Sequence, residues 1–276
     1  MPHALPPAAG ALALLLASTP AAWSAAPLEI QPTSLTLSET TGSADLAVTN
    51  GRSVPTAFEV RAFAWTQGPK GEIQLAPSEE IRVQPGTLTV APNETGIVKV
   101  QISAPPPAAL ETTYRVSLRE LPDRPAEDGE TIKVLNAVSI PVFRPPAAAV
   151  SAGTIEIPGI DDGRLPFTVR NGGSGHVFVE AVSVTGRDAK GKVVFDLNRR
   201  GWYVLAEGRR DFDFALARKD CLKTSTMIVR ARLLDGGTWE GTTPVLRQKC
   251  GNGRKTEFAE TAEAGSSTLS LVPPGR

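Results

Sequence analysis

From residue 28 onward the chain is a succession of short segments in which apolar and polar residues alternate. This alternation predicts half-buried β-strands, because successive side chains of a strand point to opposite sides. In the first half the predicted strands cover residues 28–37, 43–49, 56–66, 72–75, 81–83, 87–90, 96–103, 113–120 and 131–144. No apolar stripe with helical spacing runs through this half, so the pattern indicates an all-β structure.

The second half continues the same pattern. Its predicted strands cover residues 153–157, 165–170, 176–186, 193–197, 202–205, 211–216, 226–234 and 243–248. Glycine-containing turns such as Gly172-Gly173 and Gly236-Gly237 separate them, and Asn50-Gly51 marks a similar turn in the first half. Many short strands joined by turns are typical of β-sandwiches, and two sandwiches of about seven strands each are predicted.

The proline- and alanine-rich stretch 145–149 is the best candidate for a domain boundary. A chain of 276 residues exceeds the usual size of a single hydrophobic core. We therefore expect two immunoglobulin-like sandwiches, residues 26–147 and 148–250, joined by a short hinge. Residues 251–276 are polar and poor in aromatic side chains, and they are predicted to form a flexible tail.

The first 25 residues have the outline of a secretory signal peptide. An apolar run covers residues 8–17, and the small residues around Ala22-Trp23-Ser24 suit cleavage, although Lys and Arg are missing from the amino-terminal region. A short membrane anchor is the alternative, but the run is shorter than the roughly 18 residues needed to span a bilayer. Export is predicted, and no later segment is long and apolar enough to insert in a membrane.

Charge and cysteine content narrow the possibilities further. The 29 basic residues balance the 29 acidic ones, which disfavours nucleic-acid binding. In an oxidising compartment the two cysteines, Cys221 and Cys250, are expected to form one disulfide, with two buried free thiols as the alternative. The two histidines, His3 and His176, cannot complete a zinc-type ligand set, so no metal site is expected.

No catalytic constellation is visible in the sequence. Nucleophilic catalysis needs a base beside the nucleophile, and Ser117 has no histidine near it in sequence. The acidic pairs Asp161-Asp162 and Asp211/Asp213 more often belong to turns and strand faces than to active sites. We therefore expect neither an enzyme nor a cofactor.

The long alternating segment from Thr131 to Arg144 is a candidate for binding. It places five residues on one face of an extended strand, namely Ile132, Val134, Asn136, Val138 and Ile140. A long strand at a sheet edge exposes unpaired backbone groups unless another chain pairs with it. The alternative is that these side chains fill the core of their own domain.

Two motifs resemble the periplasmic pilus chaperones of bacterial chaperone-usher systems. Tyr114–Pro122 ends in Arg-Glu-Leu-Pro, and Ile132–Pro146 contains Phe-Arg-Pro. The resemblance implies an L-shaped pair of immunoglobulin-like domains and a role in fimbria assembly. In that role the protein would stabilise pilus subunits and deliver them to an outer-membrane usher. The segment 131–144 would complete a subunit that lacks its final strand, with Asn136 interrupting the row of donated apolar side chains.

The same resemblance implies a site for the subunit's terminal carboxylate in the cleft between the domains. The family usually supplies one Arg and one Lys there, but these positions fall on Ser34 and Pro141 in this sequence. Arg115 is expected to replace them, since guanidinium binds carboxylate with two hydrogen bonds. The alternative for Arg115 is an exposed charge on a strand face. Together with the run 139–143, these departures resemble the divergent branch that assembles spore-coat-like or archaic pili.

The resemblance further implies an interdomain ion triad of Glu120, Arg144 and Asp235, with three unrelated surface charges as the alternative. Two other classes of protein fit the composition. An exported structural pilin or adhesin would usually have one domain and an amino-terminal donor extension. A secreted hydrolase with an immunoglobulin-like accessory domain would need a catalytic site, which the sequence does not show.

Overall fold

A computed structural model of the chain describes residues 28–38, 41–103, 105, 107, 109–122 and 135–251. Within these ranges the chain forms two β-sandwiches, and the prediction of an all-β, two-sandwich fold is confirmed. None of the helices in the described ranges is long and apolar enough to span a membrane.

The first sandwich contains ten strands. They are β1 (Glu29–Gln31), β2 (Leu35–Thr36), β3 (Ser43–Thr49), β4 (Thr56–Gln67), β5 (Ile73–Pro77), β6 (Ile81–Gln84), β7 (Thr87–Val90), β8 (Thr95–Ile102), β9 (Thr112–Glu120) and β10 (Ala137–Arg144). One sheet has the order β1-β3-β8-β6, and the other has the order β2-β10-β9-β4-β5 with β7 also paired to β4. Their inner faces enclose a core that includes the fully buried Leu46, Phe58 and Val98.

The predicted strand 28–37 is divided between the two sheets. β1 pairs with β3, whereas β2 pairs with β10 in the opposite sheet. Pro32 lies between them and has no backbone N–H to donate, which interrupts the first pairing. The chain can therefore cross from one sheet to the other within residues 32–34.

Strand β10 has one edge that is only partly paired. On one side it pairs antiparallel with β9 along its whole length, from Ala137↔Arg119 to Arg144↔Thr112. On the other side it pairs with β2 only at Val142 and Phe143. Among the described residues, the opposite edge of residues 137–141 has no strand beside it. Residues 131–134 of the predicted strand lie outside the described ranges.

The second sandwich contains eight strands. They are β11 (Gly153–Glu156), β12 (Arg164–Asn171), β13 (Val177–Arg187), β14 (Val193–Arg200), β15 (Tyr203–Val204), β16 (Arg209–Ala215), β17 (Thr226–Leu233) and β18 (Thr238–Pro244). One sheet has the order β11-β12-β16, and the other has the order β14-β13-β17-β18 with β15 paired to β13. A short helix α1 (Arg218–Cys221) follows β16, and a 3-10 turn covers Arg247–Lys249.

The last predicted strand, 243–248, is misplaced. The strand begins five residues earlier, directly after the Gly236-Gly237 turn, and packs Trp239 against the core. It ends at Pro244, which cannot donate to a ladder. Leu246 is 56 % exposed, so the apolar residues after Pro244 do not continue the strand.

A buried asparagine closes one loop of each sandwich in the same way. The Nδ2 of Asn50 donates to the carbonyl oxygens of Val54 (2.8 Å) and Val90 (3.0 Å). The Nδ2 of Asn171 donates to those of Gly175 (2.7 Å) and Val204 (3.1 Å). Both asparagines are fully buried, so each satisfies carbonyl groups that water cannot reach.

Cys221 and Cys250 form a disulfide, with their Cα atoms 5.6 Å apart. Both residues are buried in the core of the second sandwich. The bond ties helix α1 to the end of the described chain, and no free cysteine remains.

The two sandwiches contact each other through a small apolar cluster and a few polar bonds. The cluster contains Trp65, Leu75 and Phe143 of the first sandwich and Tyr203 and Leu205 of the second. The contacts between the sandwiches hold β15 of the second sandwich against the sheet that contains β4, β9 and β10.

Polar contacts accompany this cluster. The side-chain amide of Gln67 donates to Tyr203 O (2.8 Å) and accepts from Leu205 N (3.0 Å). Glu111 accepts hydrogen bonds from the backbone N–H of His176 (2.8 Å), and its carboxylate lies 2.7 Å from the ring Nδ1. Gly71 has a φ of +84°, and a Cβ atom at this position would meet the flexible guanidinium end of Arg210 in the second sandwich.

Candidate functional site

A cleft of about 380 Å³ lies between the two sandwiches. The first sandwich contributes the lining residues Thr33, Ser34, Arg115, Ser139 and Pro141, and the second contributes Phe178, Trp202, Tyr203 and Leu234. Arg115 is the one charged residue in this set. The cleft therefore has a mainly polar side with a cation and a mainly apolar side.

Arg115 projects from the outer face of the sheet formed by β4, β9 and β10. It lies on β9, directly opposite Pro141 of β10 and Phe63 of β4. Its residue surface is only 3 % exposed, and its guanidinium carbon lies 4.2 Å from the centroid of the Trp65 ring. The alternative that Arg115 is an exposed strand-face charge is therefore wrong.

The guanidinium of Arg115 is incompletely hydrogen-bonded. Its Nη1 donates to the carbonyl oxygen and the hydroxyl of Ser139, both at 3.3 Å. Its Nε and Nη2 are buried and have no hydrogen-bond partner among the described residues, and neither has the neighbouring indole Nε1 of Trp65. Buried donors without acceptors are costly, so the cleft suits a ligand that brings acceptor oxygens.

The charge of Arg115 persists despite its burial. Burial lowers the pKa of Arg115 to about 10, against a small opposing influence from Tyr203. This value leaves the guanidinium protonated near neutral pH. Within the described part of the chain, the only charge that lines the cleft is thus positive, and an anionic group such as a carboxylate matches it.

Ser34 and Pro141, which stand where the pilus chaperones usually have cations, both line this cleft with Arg115. Pro141 is the direct cross-strand neighbour of Arg115. Residues 34, 115 and 141, which were all linked to binding of a terminal carboxylate, therefore line the same cleft.

The apolar side of the cleft was not foreseen from the sequence. The rings of Phe178, Trp202 and Tyr203 contact one another, with centroids 4.8 Å apart for Phe178–Tyr203 and 5.6 Å for Trp202–Tyr203. Leu234 extends this surface at the turn after β17. We refer to these four residues as the apolar wall. A sequence signal did exist, since Trp202 and Tyr203 follow a glycine between two predicted strands.

Tyr203 connects the apolar wall to the first sandwich. Its ring lies 5.7 Å from that of Trp65 and 5.4 Å from that of Phe143, centroid to centroid. Burial raises the pKa of Tyr203, and the nearby charge of Arg115 acts in the opposite direction. The phenol is therefore neutral in the physiological range and adds no negative charge to the cleft.

The five predicted donor residues have different environments. Ile140 is 4 % exposed and belongs to the core of the first sandwich, so for this residue the core alternative holds. Val138 is half-buried against the same core, and Asn136 is exposed just before the strand begins. Even-numbered side chains of β10 point inward, which explains the burial of Ile140. Ile132 and Val134 lie outside the described residues.

The predicted ion triad of Glu120, Arg144 and Asp235 is not assembled. Arg144 pairs with Thr112, whereas Glu120 is at the other end of the same strand β9, eight residues or about 26 Å away. Asp235 accepts a hydrogen bond from the N–H of Gly237 (2.9 Å) in its own turn.

Glu120 has other partners within its own sandwich. Its carboxylate accepts hydrogen bonds from Arg52 at 2.6 Å and 3.2 Å and from the backbone and side chain of Asn136 at 3.1 Å and 3.0 Å. Burial by itself would raise the pKa of Glu120, but the donors of Arg52 and Asn136 outweigh it and lower the pKa. Glu120 thus fixes the start of β10 instead of the interdomain angle.

The described residues contain no group of three or more His, Cys, Asp or Glu side chains that could hold a metal ion. The acidic residues considered above have local roles. Asp161 pairs with Lys249 (3.0 Å), Asp213 pairs with Arg164 (2.6 Å), and Asp211 accepts from the hydroxyl of Thr168 (2.8 Å).

Comparison with known proteins shows which families and structures this chain is similar to. Residues 27–149 match the family of pili and flagellar-assembly chaperones, through the PapD N-terminal domain. This match covers the first sandwich, and the resemblance to pilus assembly chaperones is confirmed. No curated protein sequence matches the chain.

Solved structures of similar fold include several chaperones. One is a chain of the CsuC–CsuE chaperone–tip adhesion subunit pre-assembly complex, from the archaic chaperone-usher Csu pili of Acinetobacter baumannii. It matches with a TM-score of 0.56 and 16 % identity, over 79 % of this chain and 98 % of that one. The CupB2 chaperone of Pseudomonas aeruginosa (TM-score 0.50, 16 % identity, 79 % of this chain, all of that one) also shares the fold. The class 5 fimbriae chaperone CfaA shares it as well (TM-score 0.50, 12 % identity, 80 % of this chain, all of that one).

Proposed function

We propose that this protein is a periplasmic chaperone that binds pilus subunits and delivers them to an outer-membrane usher. It would hold a subunit in two ways, by pairing the open edge of β10 with the subunit and by binding the subunit's terminal carboxylate on Arg115. The observation that carries the proposal is the buried, half-satisfied guanidinium of Arg115 beside an unpaired strand edge.

The edge of β10 supports strand pairing. Residues 137–141 are held in register by β9 on one side and have no partner strand on the other side among the described residues. A subunit that lacks one strand has the complementary need, because it exposes backbone groups and an apolar groove. Val138, together with Ile132 and Val134, is proposed to enter that groove, while Ile140 stays in the core of the chaperone.

The cleft supports the second contact. Arg115 has two buried donors without partners, and a carboxylate can accept from both. Its cross-strand neighbour is Pro141 of β10, so a subunit strand running along β10 would bring its chain end to the guanidinium. The carboxylate would thereby fix which residues of the subunit pair with which residues of β10.

Co-expression with an exported pilus subunit tests both contacts. We expect Arg115→Met to reduce the yield of the copurified complex at least about tenfold, since a charge-assisted pair is lost. Val138→Asp should also abolish copurification, because a charge would enter the apolar groove. Val193→Asp is the matched control, since Val193 is exposed on β14 in the other sandwich. Undiminished copurification with Arg115→Met, in a protein that unfolds like the wild type, would refute the carboxylate contact.

A structural pilin or adhesin is the competing class. The family match of residues 27–149 and the second sandwich both favour a chaperone. Purified pili decide between them, since a structural subunit would be found in the fibre and a chaperone would remain in the periplasm.

A further inference from the structure

The apolar wall, formed by Phe178, Trp202, Tyr203 and Leu234, presents large apolar side chains to the space above Arg115. Trp202 is 37 % exposed and Leu234 is 65 % exposed. Exposed apolar side chains that border a cleft with a single buried cation indicate a surface that a ligand covers. The positive charge of Arg115 identifies the covering group as part of a ligand that carries an anion.

The wall is held rigidly with respect to Arg115. Gln67 of the first sandwich bonds to the backbone of residues 203 and 205, and Tyr203 packs on Trp65, the same ring that lies under the guanidinium. The distance between the wall and the cation is therefore set by direct contacts between the sandwiches. A ligand must therefore fit the apolar wall and the guanidinium of Arg115 at the same time.

Local backbone bonds fix the exposed members of the wall. The N–H of Val179 donates to Trp202 O (3.0 Å), and the N–H of Leu234 donates to Phe178 O (2.9 Å). Gly201 packs directly on the carbonyl of Val179, where a side chain would collide with the backbone. Trp202 is thus presented to the cleft by a tight turn that only glycine allows.

We infer that the apolar wall selects the last side chain of the bound subunit and favours a chain that ends in an aromatic or large aliphatic residue. The inference rests on the proposed function, in which the terminal carboxylate lies on Arg115. With the carboxylate there, the side chain on the same Cα atom must lie within a few ångströms of the guanidinium, and the wall forms the opposite side of that space.

Polar and charged terminal residues are disfavoured by the same geometry. No second cation lines the described cleft, so a terminal Asp or Glu would lose its hydration without gaining a partner. A terminal Lys or Arg would place its charge near that of Arg115, which is repulsive at short range. Apolar burial against the wall is the remaining favourable interaction.

Synthetic peptides test this preference with the full-length protein. Four nine-residue peptides share one sequence of strand-forming residues and end in Phe, Ala or Asp as free acids, or in Phe as the carboxamide. Binding is measured by the fluorescence anisotropy of a dye on the peptide's amino terminus. We expect the Phe acid to bind about tenfold or more tightly than the Ala acid, with the Asp acid weakest. Equal affinity for the Phe and Ala acids would overturn the inference.

Variants of the apolar wall test whether the wall causes the preference for the last residue of the peptide. In the double variant Trp202→Ala/Leu234→Ala the ratio between the Phe and Ala acids should fall below about threefold, while the affinity for the Ala acid stays near that of the wild type. Val193→Ala, at an exposed valine that begins β14, is the control and should leave the ratio unchanged. A ratio that survives the double variant would place the selecting surface elsewhere and contradict the inference.

The carboxamide separates this inference from the proposed function. If the Phe carboxamide binds as tightly as the Phe acid while the Ala acid binds weakly, the wall selects side chains but Arg115 is not a carboxylate anchor. If the free acids all bind equally and the carboxamide does not, the anchor stands and the selection fails. Failure of the Phe acid to bind at all would contradict both.

Discussion

Two arginines of the first sandwich, one partly exposed and one buried, show how differently a guanidinium can be used. Arg52 donates two hydrogen bonds to the buried carboxylate of Glu120, and this pair holds the start of β10 in place. Arg115 is 3 % exposed but has no carboxylate partner and two unpaired donors. Desolvation of an unpaired charge lowers stability, so Arg115 is retained at the expense of stability and is expected to serve binding.

Substituting the two arginines should therefore have opposite effects on stability. We expect Arg115→Met to leave the free energy of unfolding unchanged or to raise it by about 1 kcal/mol, because a buried unpaired charge is removed. Arg52→Met should lower it by about 1–3 kcal/mol, because the carboxylate of Glu120 loses a charged donor while it stays buried. Urea unfolding followed by tryptophan fluorescence measures both. A loss of stability in Arg115→Met as large as in Arg52→Met would show that Arg115 is structural.

The lowered pKa of Glu120 also predicts a pH dependence of stability. The pKa of Glu120 is lower in the folded than in the unfolded protein. Such a carboxyl group stabilises the fold at any pH above its pKa in the unfolded protein, and this contribution is lost as the pH falls through its pKa in the folded protein. We expect the first sandwich to lose stability below about pH 4.5, the ordinary range of glutamate. In Glu120→Gln this part of the acid-induced loss should be absent. Urea midpoints compared between neutral pH and pH 3 measure it, and an unchanged acid profile in the variant would contradict the assignment.

At the scale of elements, alternation of apolar residues was sufficient to predict nearly all the strands, because each strand buries one face in a sandwich core. It failed where a proline changed the pairing, as at Pro32, and where a turn lay next to a large half-buried ring, as at Trp239. Alternation placed Val138 and Ile140 on one face of β10 and favoured donation of that face, but it could not show that Ile140 is already covered by the core of its own domain. Burial of Ile140 depends on residues far away in the sequence.

The candidate site was only partly predictable for the same reason. Arg115 was selected because two neighbouring positions lacked the expected cations, and both positions line the cleft. The apolar wall joins residues from three separate segments of the chain, and the Arg52–Glu120 pair joins residues 68 apart. No periodicity in the sequence encodes such contacts.

The disulfide gives a prediction at the scale of an element. It closes a loop of 29 residues between helix α1 and the residue after the 3-10 turn, and such a loop restricts the unfolded chain. We expect Cys221→Ser/Cys250→Ser to lower the free energy of unfolding of the second sandwich by about 3 kcal/mol. Thermal unfolding of the variant, compared with that of the reduced wild-type protein, measures this. The two should agree, and full stability in both would show that packing alone holds helix α1.

For the whole molecule, the contacts between the sandwiches are few and polar at their borders, so single residues control the geometry of the cleft. Gln67 bonds to both Tyr203 and Leu205 of the second sandwich, and Glu111 bonds to His176. Interfaces of this kind allow relative motion of domains once their bonds are removed. The cleft can keep its shape only while these contacts remain.

Removing the side-chain amide of Gln67 tests whether these contacts keep the two sandwiches in a fixed arrangement. We expect Gln67→Ala to broaden the distribution of interdomain distances in small-angle X-ray scattering and to increase the solvent exposure of Tyr203. The melting temperature of each sandwich should change little, because Gln67 belongs to neither core. Gln101→Ala, on the exposed face of β8, is the control. Superimposable scattering profiles for Gln67→Ala and Gln101→Ala would show that the apolar contacts alone hold the two sandwiches together.

The position of the disulfide has a consequence for the cell that makes this protein. Both cysteines belong to the sandwich that carries the wall, whereas the sandwich that carries the open edge has none. Under the proposed function, protein made in a reducing environment would thus keep an intact strand-pairing half, next to a half that binds the subunit's last residue less well. Its capacity to hold subunits would then depend on the redox state of two sulfur atoms that do not contact the subunit.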